Sequence, residues 1–477
     1  MSGPTPHVTP TAPARTWLPT LVGGMVIGTA VAVWGPVVAL AGVAIACGGL
    51  TAAWLLAMPV RAVTLYAFLL PFDVYLSTSL RVTSTQVFQA LVLVATASGV
   101  LLAGRTTSRA SNLPAGVAPL GIGLIAYLVM SIAWSISPEA STRNLLRTVA
   151  ALLMGGLAAS VIRDTVALRR VCSAAALGAL VTSLYGYAQF ARGGHDQLYR
   201  YFSPFYSELF VARGAGFSVV ATFSNPNILA GYGAMVLPII WALATDARSS
   251  SRVFWAAVSV LVSGVVLLTF SKAGWVLVMA LAASWVLARI TAGTRLVAAA
   301  GAGIALGLFV LFIDRLLGYF SLVFPNAREM SVDSRLGLWR VSLSAFAESP
   351  LLGFGLDGFA AATSGLRATG LADLVRAHNI YLQTLVDIGL VGTVLFWTPL
   401  AMVFVLGLKS LLLEPFRDSS PLHLGLVLSA LGFILFGVVE SLNVSNNYVN
   451  LYWLVFGLLS ASTQLRRRAA GAPGRES

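Results

Sequence analysis

The chain has 477 residues, of which 58% are hydrophobic and only 10% charged, with a mean hydropathy of +0.86. Soluble domains carry about 25% charged residues, so this composition excludes a water-soluble globule, a disordered chain and a collagen-like repeat, and fits an integral membrane protein. The formal charge of +13 comes from 30 basic and 17 acidic residues; in so apolar a chain it reports which side of a bilayer each Arg occupies, not nucleic-acid binding. Cys47 and Cys172 both lie in apolar runs, which supports neither a disulfide nor a metal cluster.

In chain order, residues 1–16 are rich in Pro and Thr and read as a short disordered cytoplasmic lead. They do not read as a cleavable signal peptide, because a second apolar run follows the first without a small-residue cleavage site. A helix needs ~20 mostly apolar residues to cross a hydrocarbon core. That ruler predicts spans near 17–34, 36–57, 62–78, 86–104, 116–134, 145–162, 171–190, 228–245, 253–270, 273–288, 296–313, 381–406, 423–440 and 448–463. The third and tenth are short, so the expected fold is all-α: a polytopic integral membrane helix bundle of about 12–14 transmembrane helices, with a large structured periplasmic or extracellular loop. Uninterrupted apolar stretches of this kind are not the alternating strands of a barrel. The transmembrane domain is expected over 17–465, with a basic cytoplasmic tail over 466–477.

Orientation follows from the short loops. With the first residues inside, the inner loops and tails hold 17 of the 30 basic residues, among them Arg61, Arg163, Arg169, Arg248, Arg289 and the run Arg466-Arg467-Arg468. The short outer connections hold only Arg81, Arg143, Arg147 and Lys272. This asymmetry predicts both termini in the cytoplasm. The remaining basic residues fall in two long outer segments, 191–227 and 314–380, where chemistry is expected.

Within 314–380, Leu336, Trp339, Leu343 and Phe346 recur at helical spacing after Ser331-Val332-Asp333-Ser334, and Pro350 closes the run. The pattern predicts a short amphipathic helix capped by Asp333 or Ser334, carrying Arg335 and Arg340. A G-x-G-x-x-G follows at Gly353, Gly355 and Gly358. A dinucleotide site would need a preceding strand and a crossover helix, which the sequence lacks, so the glycines are expected to form a tight re-entrant turn outside the membrane. Arg376-Ala377-His378-Asn379 then stands just before the next apolar run.

Three stretches together resemble the shared domain of the O-antigen ligase and O-antigen polymerase superfamily: Ser334-Arg335-Leu336-Gly337-Leu338-Trp339, Pro350-Leu351-Leu352-Gly353-Phe354-Gly355 and His378-Asn379-Ile380-Tyr381-Leu382-Gln383. Ten residues separate His378 from Gly389, and Gly392 comes three later, a spacing typical of that family. Thr222-Phe223-Ser224-Asn225-Pro226-Asn227 also resembles a segment of it, so the likeness covers roughly 220–405. One departure is Ser271-Lys272-Ala273-Gly274, where the family often has Arg; Lys keeps the charge but not the planar fork. The family's usual Arg-x3-Leu is altered too, since Trp339 stands four residues after Arg335.

The resemblance implies a metal-independent, inverting glycan transferase without a cofactor, working on the outer face of the cytoplasmic membrane. Its donor would be a glycan on undecaprenyl diphosphate. A polymerase passes that glycan to a sugar hydroxyl of the next lipid-linked unit, and a ligase passes it to the lipid A core. Membrane lipids and polysaccharide-assembly proteins are the partners implied, and nucleic acid is not. Arg suits a diphosphate leaving group whose charge grows in the transition state, and an imidazole of pKa ~6.5 suits proton removal from a hydroxyl near neutrality. His378 is accordingly expected to be the base and Arg335 the principal diphosphate clamp, with Arg376, Arg340, Arg213 and Lys272 as further diphosphate-binding candidates. A metal-dependent oligosaccharyltransferase would need paired carboxylates on an early outer loop, and no Asp-x-Asp occurs. A flippase for lipid-linked oligosaccharides would place charge at mid-membrane, whereas the predicted span centres here are nearly free of it.

Overall fold

The computed structural model describes residues 59–77, 81–102, 113–192, 199–203, 218–289, 332–365, 376–412, 420–441 and 445–470. The spans expected at 17–34, 36–57 and 296–313 lie outside the described residues, as do the N-terminal lead and Arg213. Among the described residues the fold is all-α apart from one small hairpin, and seven helices are long and apolar enough to cross a membrane.

The helices follow the expected order. They are α1 (Pro59–Leu69), α2 (Ser84–Leu102), α3 (Val117–Ser131), α4 (Pro138–Val161) and α5 (Thr165–Ala191), then the short α6 (Tyr199–Phe202). After them come α7 (Pro226–Asp246), α8 (Ser249–Leu268) and α9 (Lys272–Arg289). Two non-spanning helices, α10 (Val332–Glu348) and α11 (Phe359–Ala362), precede α12 (Ile380–Leu412), α13 (Pro421–Phe436) and α14 (Asn446–Ala470).

Burial sorts them into a centre and a rim. Every residue of α7 from Ile228 to Ile240 is buried, the mark of a helix packed on all sides. In α8 only Val258, Val262, Val265 and Val266 are buried, a single stripe, while Val253, Val260 and Leu267 are exposed as on a lipid-facing surface. Small residues let the central helices touch backbone to backbone. A Cβ at Gly457 of α14 would fall 2.2 Å from Gly155 O of α4, so nothing larger fits that crossing.

Four features differ from the sequence expectation. The span near 62–78 is interrupted: α1 stops at Leu69, Pro71 and Asp73 follow, and β1 (Tyr75–Ser77) pairs antiparallel with β2 (Val82–Thr83). Asp73 Oδ1 accepts from Thr85 N at 3.2 Å, a bond that ties this turn to the start of α2. The amphipathic helix forms, but it begins at Val332, which places Asp333 and Ser334 within its first turn. Its buried face is Leu338, Ser342 and Ala345, whereas Leu336 and Leu343 point outward. The basic run 466–468 is no detached tail: α14 continues to Ala470, and Arg466 Nε donates to Ser410 Oγ at 3.0 Å.

The fourth difference is in α12. The span predicted as continuous from Tyr381 is two helices merged across a break at Gly389, whose φ of 61° and ψ of −172° are not helical. The glycine-rich turn 350–355 is wedged into that break. Leu390 N donates to Pro350 O at 2.8 Å and Val391 N to Leu351 O at 3.2 Å, while Phe354 N donates to Val386 O at 3.0 Å. Tyr127 Oη donates to Ile388 O at 2.8 Å. The turn and one phenol thereby satisfy the backbone groups that the break frees, as an apolar surrounding requires.

Candidate functional site

The connections predicted on the outer side meet at one end of the bundle. Val219 N donates to Leu268 O at 3.0 Å, joining the approach to α7 with the end of α8, and Ile380 N donates to Gly437 O at 2.8 Å, joining the start of α12 with the end of α13. Asn446 Nδ2 at the start of α14 donates to Thr83 Oγ1 at 3.1 Å. Ser141 Oγ in the first turn of α4 donates to Leu356 O at 2.7 Å.

His378 stands at this end, and its neighbours in sequence fix it there. Asn379 Oδ1 accepts from Tyr381 N and Leu382 N at 2.9 and 3.0 Å, capping α12. Gln383 Oε1 accepts from Ala377 N at 3.0 Å, and Asn379 N donates to Ser441 Oγ at 3.2 Å. The amides on both sides of His378 are therefore tied down, and between them His378 is held at φ 47°, a left-handed conformation that a non-glycine residue rarely adopts. Gln383 in turn donates to Asp387 Oδ2 at 3.1 Å, and Asp387 Oδ1 accepts from Phe359 N at 2.9 Å, which seats α11 against α12.

The imidazole faces a carboxylate that sequence reasoning did not single out. His378 Nδ1 is 3.0 Å from Glu440 Oε1, with the His side chain 15% and the Glu side chain 4% exposed. The N–H direction is not aligned on the oxygen, so the contact is a close approach of ring nitrogen and carboxylate at hydrogen-bond distance. Glu440 lies beyond the end of α13. Its Oε1 accepts from Ser441 N at 3.1 Å and its Oε2 from Asn227 Nδ2 at 3.2 Å. Burial pushes its pKa up, but the charge and contact of His378, the Arg335 guanidinium and the Ser441 amide outweigh burial and hold the carboxyl below its ordinary range. A signal for Glu440 existed in the sequence. It is the single Asp, Glu, Lys or Arg between Pro421 and Thr463, and an ionisable residue amid apolar sequence marks a functional position.

Asn227 arrives from the segment Thr222–Asn227. Asn225 caps α7 by accepting from Asn227 N at 2.8 Å, and Pro226 fits the first helical turn, so the Asn227 side chain is delivered to Glu440. Arg335 sits at the start of α10, half-buried, close enough for its charge to act on Glu440. The face of α10 that carries Ala345 packs against Phe359, Ala377 and Val386, the last two flanking the start of α12, and this contact sets the position of Arg335.

The other expected residues are distributed differently. Arg376, two residues before His378, has Nη1 3.8 Å from Asp357 Oδ1, and Asp357 Oδ2 accepts from Asn144 Nδ2 at 2.7 Å. Arg147 lies within α4, not in a connection, and its charge is felt with that of Arg376 at Asp357's cluster. Arg340 is exposed, five residues and thus over a third of a turn around the helix from Arg335. Lys272 opens α9 after a left-handed Phe270, half-buried, at the same end of the bundle as Asn227, because a Cβ at Gly274 would lie 2.5 Å from Ala230 Cβ of α7. Among the described residues no group of three His, Cys, Asp or Glu comes together as metal ligands would.

No curated protein matches the chain. Residues 257–397 match the family model described as O-antigen ligase. That segment spans most of α8, all of α9, α10 and α11, the glycine turn and the broken start of α12, and it contains both Arg335 and His378. Asn227 and Glu440 come from outside it. Through this segment the chain, a multi-pass membrane protein, is similar to the O-antigen ligase family.

Proposed function

We propose that this protein is a metal-independent, inverting polymerase that transfers glycan from undecaprenyl diphosphate to a sugar hydroxyl on the outer face of the cytoplasmic membrane, with both termini inside. The acceptor hydroxyl attacks the anomeric carbon while His378 takes its proton, and the bond from that carbon to the diphosphate oxygen breaks with its electron pair leaving on the diphosphate. Arg335 stabilises that growing charge bidentately, and a single displacement inverts the anomeric centre. Lys272 and Arg376 extend the cradle toward the carrier, and Arg340 and Arg213 are the outlying candidates for it. The observation that carries this reading is that His378, just before α12, and Arg335, at the start of α10, both act on one buried carboxylate.

The test is turnover by purified protein in detergent with a lipid-diphosphate glycan. Elongated glycan and free polyprenyl diphosphate are expected, with the rate unchanged by excess chelator. Product formed only when lipid A core is supplied would make the protein a ligase. Translocation across liposomes without a new glycosidic bond would make it a flippase and overturn the proposal, and dependence on added Mg²⁺ or Mn²⁺ would overturn the metal-independent chemistry.

A further inference from the structure

We propose that Glu440 is the positioning residue of the transfer reaction: it holds His378 in the tautomer protonated at Nδ1, so that Nε2 is the atom that receives the acceptor's proton. The inference rests on the reading of His378 as the base. Three observations carry it. Glu440 Oε1 lies 3.0 Å from Nδ1, within hydrogen-bond distance. The carboxylate cannot follow the ring away, because Asn227 Nδ2 and Ser441 N hold its two oxygens from α7 and from its own backbone. The His378 backbone is equally fixed, through Gln383 and Ser441 on either side.

With both partners immobilised and the carboxylate 4% exposed, the contact is between an acceptor-only group and a ring nitrogen, which requires the proton on Nδ1. Nε2 is then the unprotonated nitrogen. When it takes a proton, the positive ring lies beside a fixed negative charge, and proton removal from the acceptor is favoured. The charged and titratable groups that face Glu440 are His378, the Arg335 guanidinium of α10 and the Tyr448 phenol of α14. Arg335 opposes the protonated ring and Glu440 favours it, so removing the carboxylate charge leaves His378 facing an unbalanced guanidinium.

The experiment compares wild type, Glu440→Gln and Glu440→Asp in detergent with a lipid-diphosphate glycan, across pH. Glu440→Gln is expected to lower turnover by about 10²-fold or more, since a positioned carboxylate behind a catalytic imidazole acts on that scale. The midpoint of the acidic limb should move to lower pH. Glu440→Asp should recover much of the rate and keep the wild-type midpoint. Turnover of Glu440→Gln within about threefold of wild type, with an unmoved midpoint, overturns the inference. A second measurement uses ¹⁵N-histidine spectra of wild-type protein at alkaline pH, with the His378 signal assigned as the one missing from the spectrum of His378→Asn. Protonation at Nδ1 is expected, and protonation at Nε2 overturns the inference. Activity in His378→Ala would instead remove the base assignment on which it rests, so the two failures are distinguishable.

Discussion

The backbones of Gly353 and Gly389 touch. A Cβ on Gly353 would lie 2.4 Å from Gly389 N, and one on Gly389 would lie 2.3 Å from Leu351 O. Both residues have positive φ, 67° and 61°. This contact is where the turn 350–355 enters the break in α12. Gly389→Ala and Gly353→Ala should each cost at least about 1–3 kcal/mol from the backbone conformation alone, before the overlap is counted. The measurement is the thermal midpoint in detergent, and a wild-type midpoint for either variant contradicts the wedge.

Tyr127 closes the same junction from α3. Its hydroxyl donates to Ile388 O at 2.8 Å and reaches Leu352 O at 3.1 Å, and Gly392 is small enough to admit the ring, where a Cβ would meet Tyr127 Cε1 at 2.5 Å. Tyr127→Phe should destabilise by about 1–3 kcal/mol, because Ile388 O loses its donor in an apolar surrounding. Leu352 O keeps Trp134 Nε1 at 3.3 Å, so the loss falls on the α12 carbonyl. Unfolding of the variant in detergent measures it.

His378→Ala should abolish transfer while leaving insertion intact, and it should also lower the unfolding midpoint, since the ring is only 15% exposed and its loss leaves the buried Glu440 carboxylate without its neighbour. Arg335→Lys should lose at least about tenfold in turnover, well beyond any fall in expression, because the charge remains and the bidentate geometry does not. Wild-type rates in Arg335→Lys would reduce Arg335 to an anchor of α10.

Acid should loosen the site through Glu440. Its carboxyl titrates below its ordinary range in the fold, so the unfolded chain takes up this proton at the higher pH. The stabilisation is complete above the unfolded carboxylate pKa of about 4.3 and is lost as pH falls through the depressed folded value. Thermal midpoints taken from neutral pH downward should therefore fall less steeply for Glu440→Gln than for wild type. Parallel curves would mean that this carboxylate contributes nothing pH-dependent to stability.

Much of the site was written locally. Arg335 and His378 were legible because the resemblance that singled them out is carried by short runs, Ser334–Trp339 and His378–Gln383, whose residues are adjacent in sequence. Asn379 and Gln383 turned out to be the means of holding His378, a role that their spacing alone did not disclose. The face of α10 was misread for the opposite reason. Leu336 and Leu343 have the right period, but the stripe buried is Leu338, Ser342 and Ala345, and no helical period says which stripe its neighbours will cover.

The amino-acid sequence by itself determined that this is a membrane bundle and where most of its helices run, because apolar run length is a one-dimensional quantity read by the bilayer. Only the tertiary structure decided that Glu440 meets His378 across 62 positions of chain, that Asn227 braces the pair, and that α12 is broken to receive a turn. Those contacts depend on which helix ends pack together at one pole of the bundle, and a distance through space has no fixed trace in the order of residues.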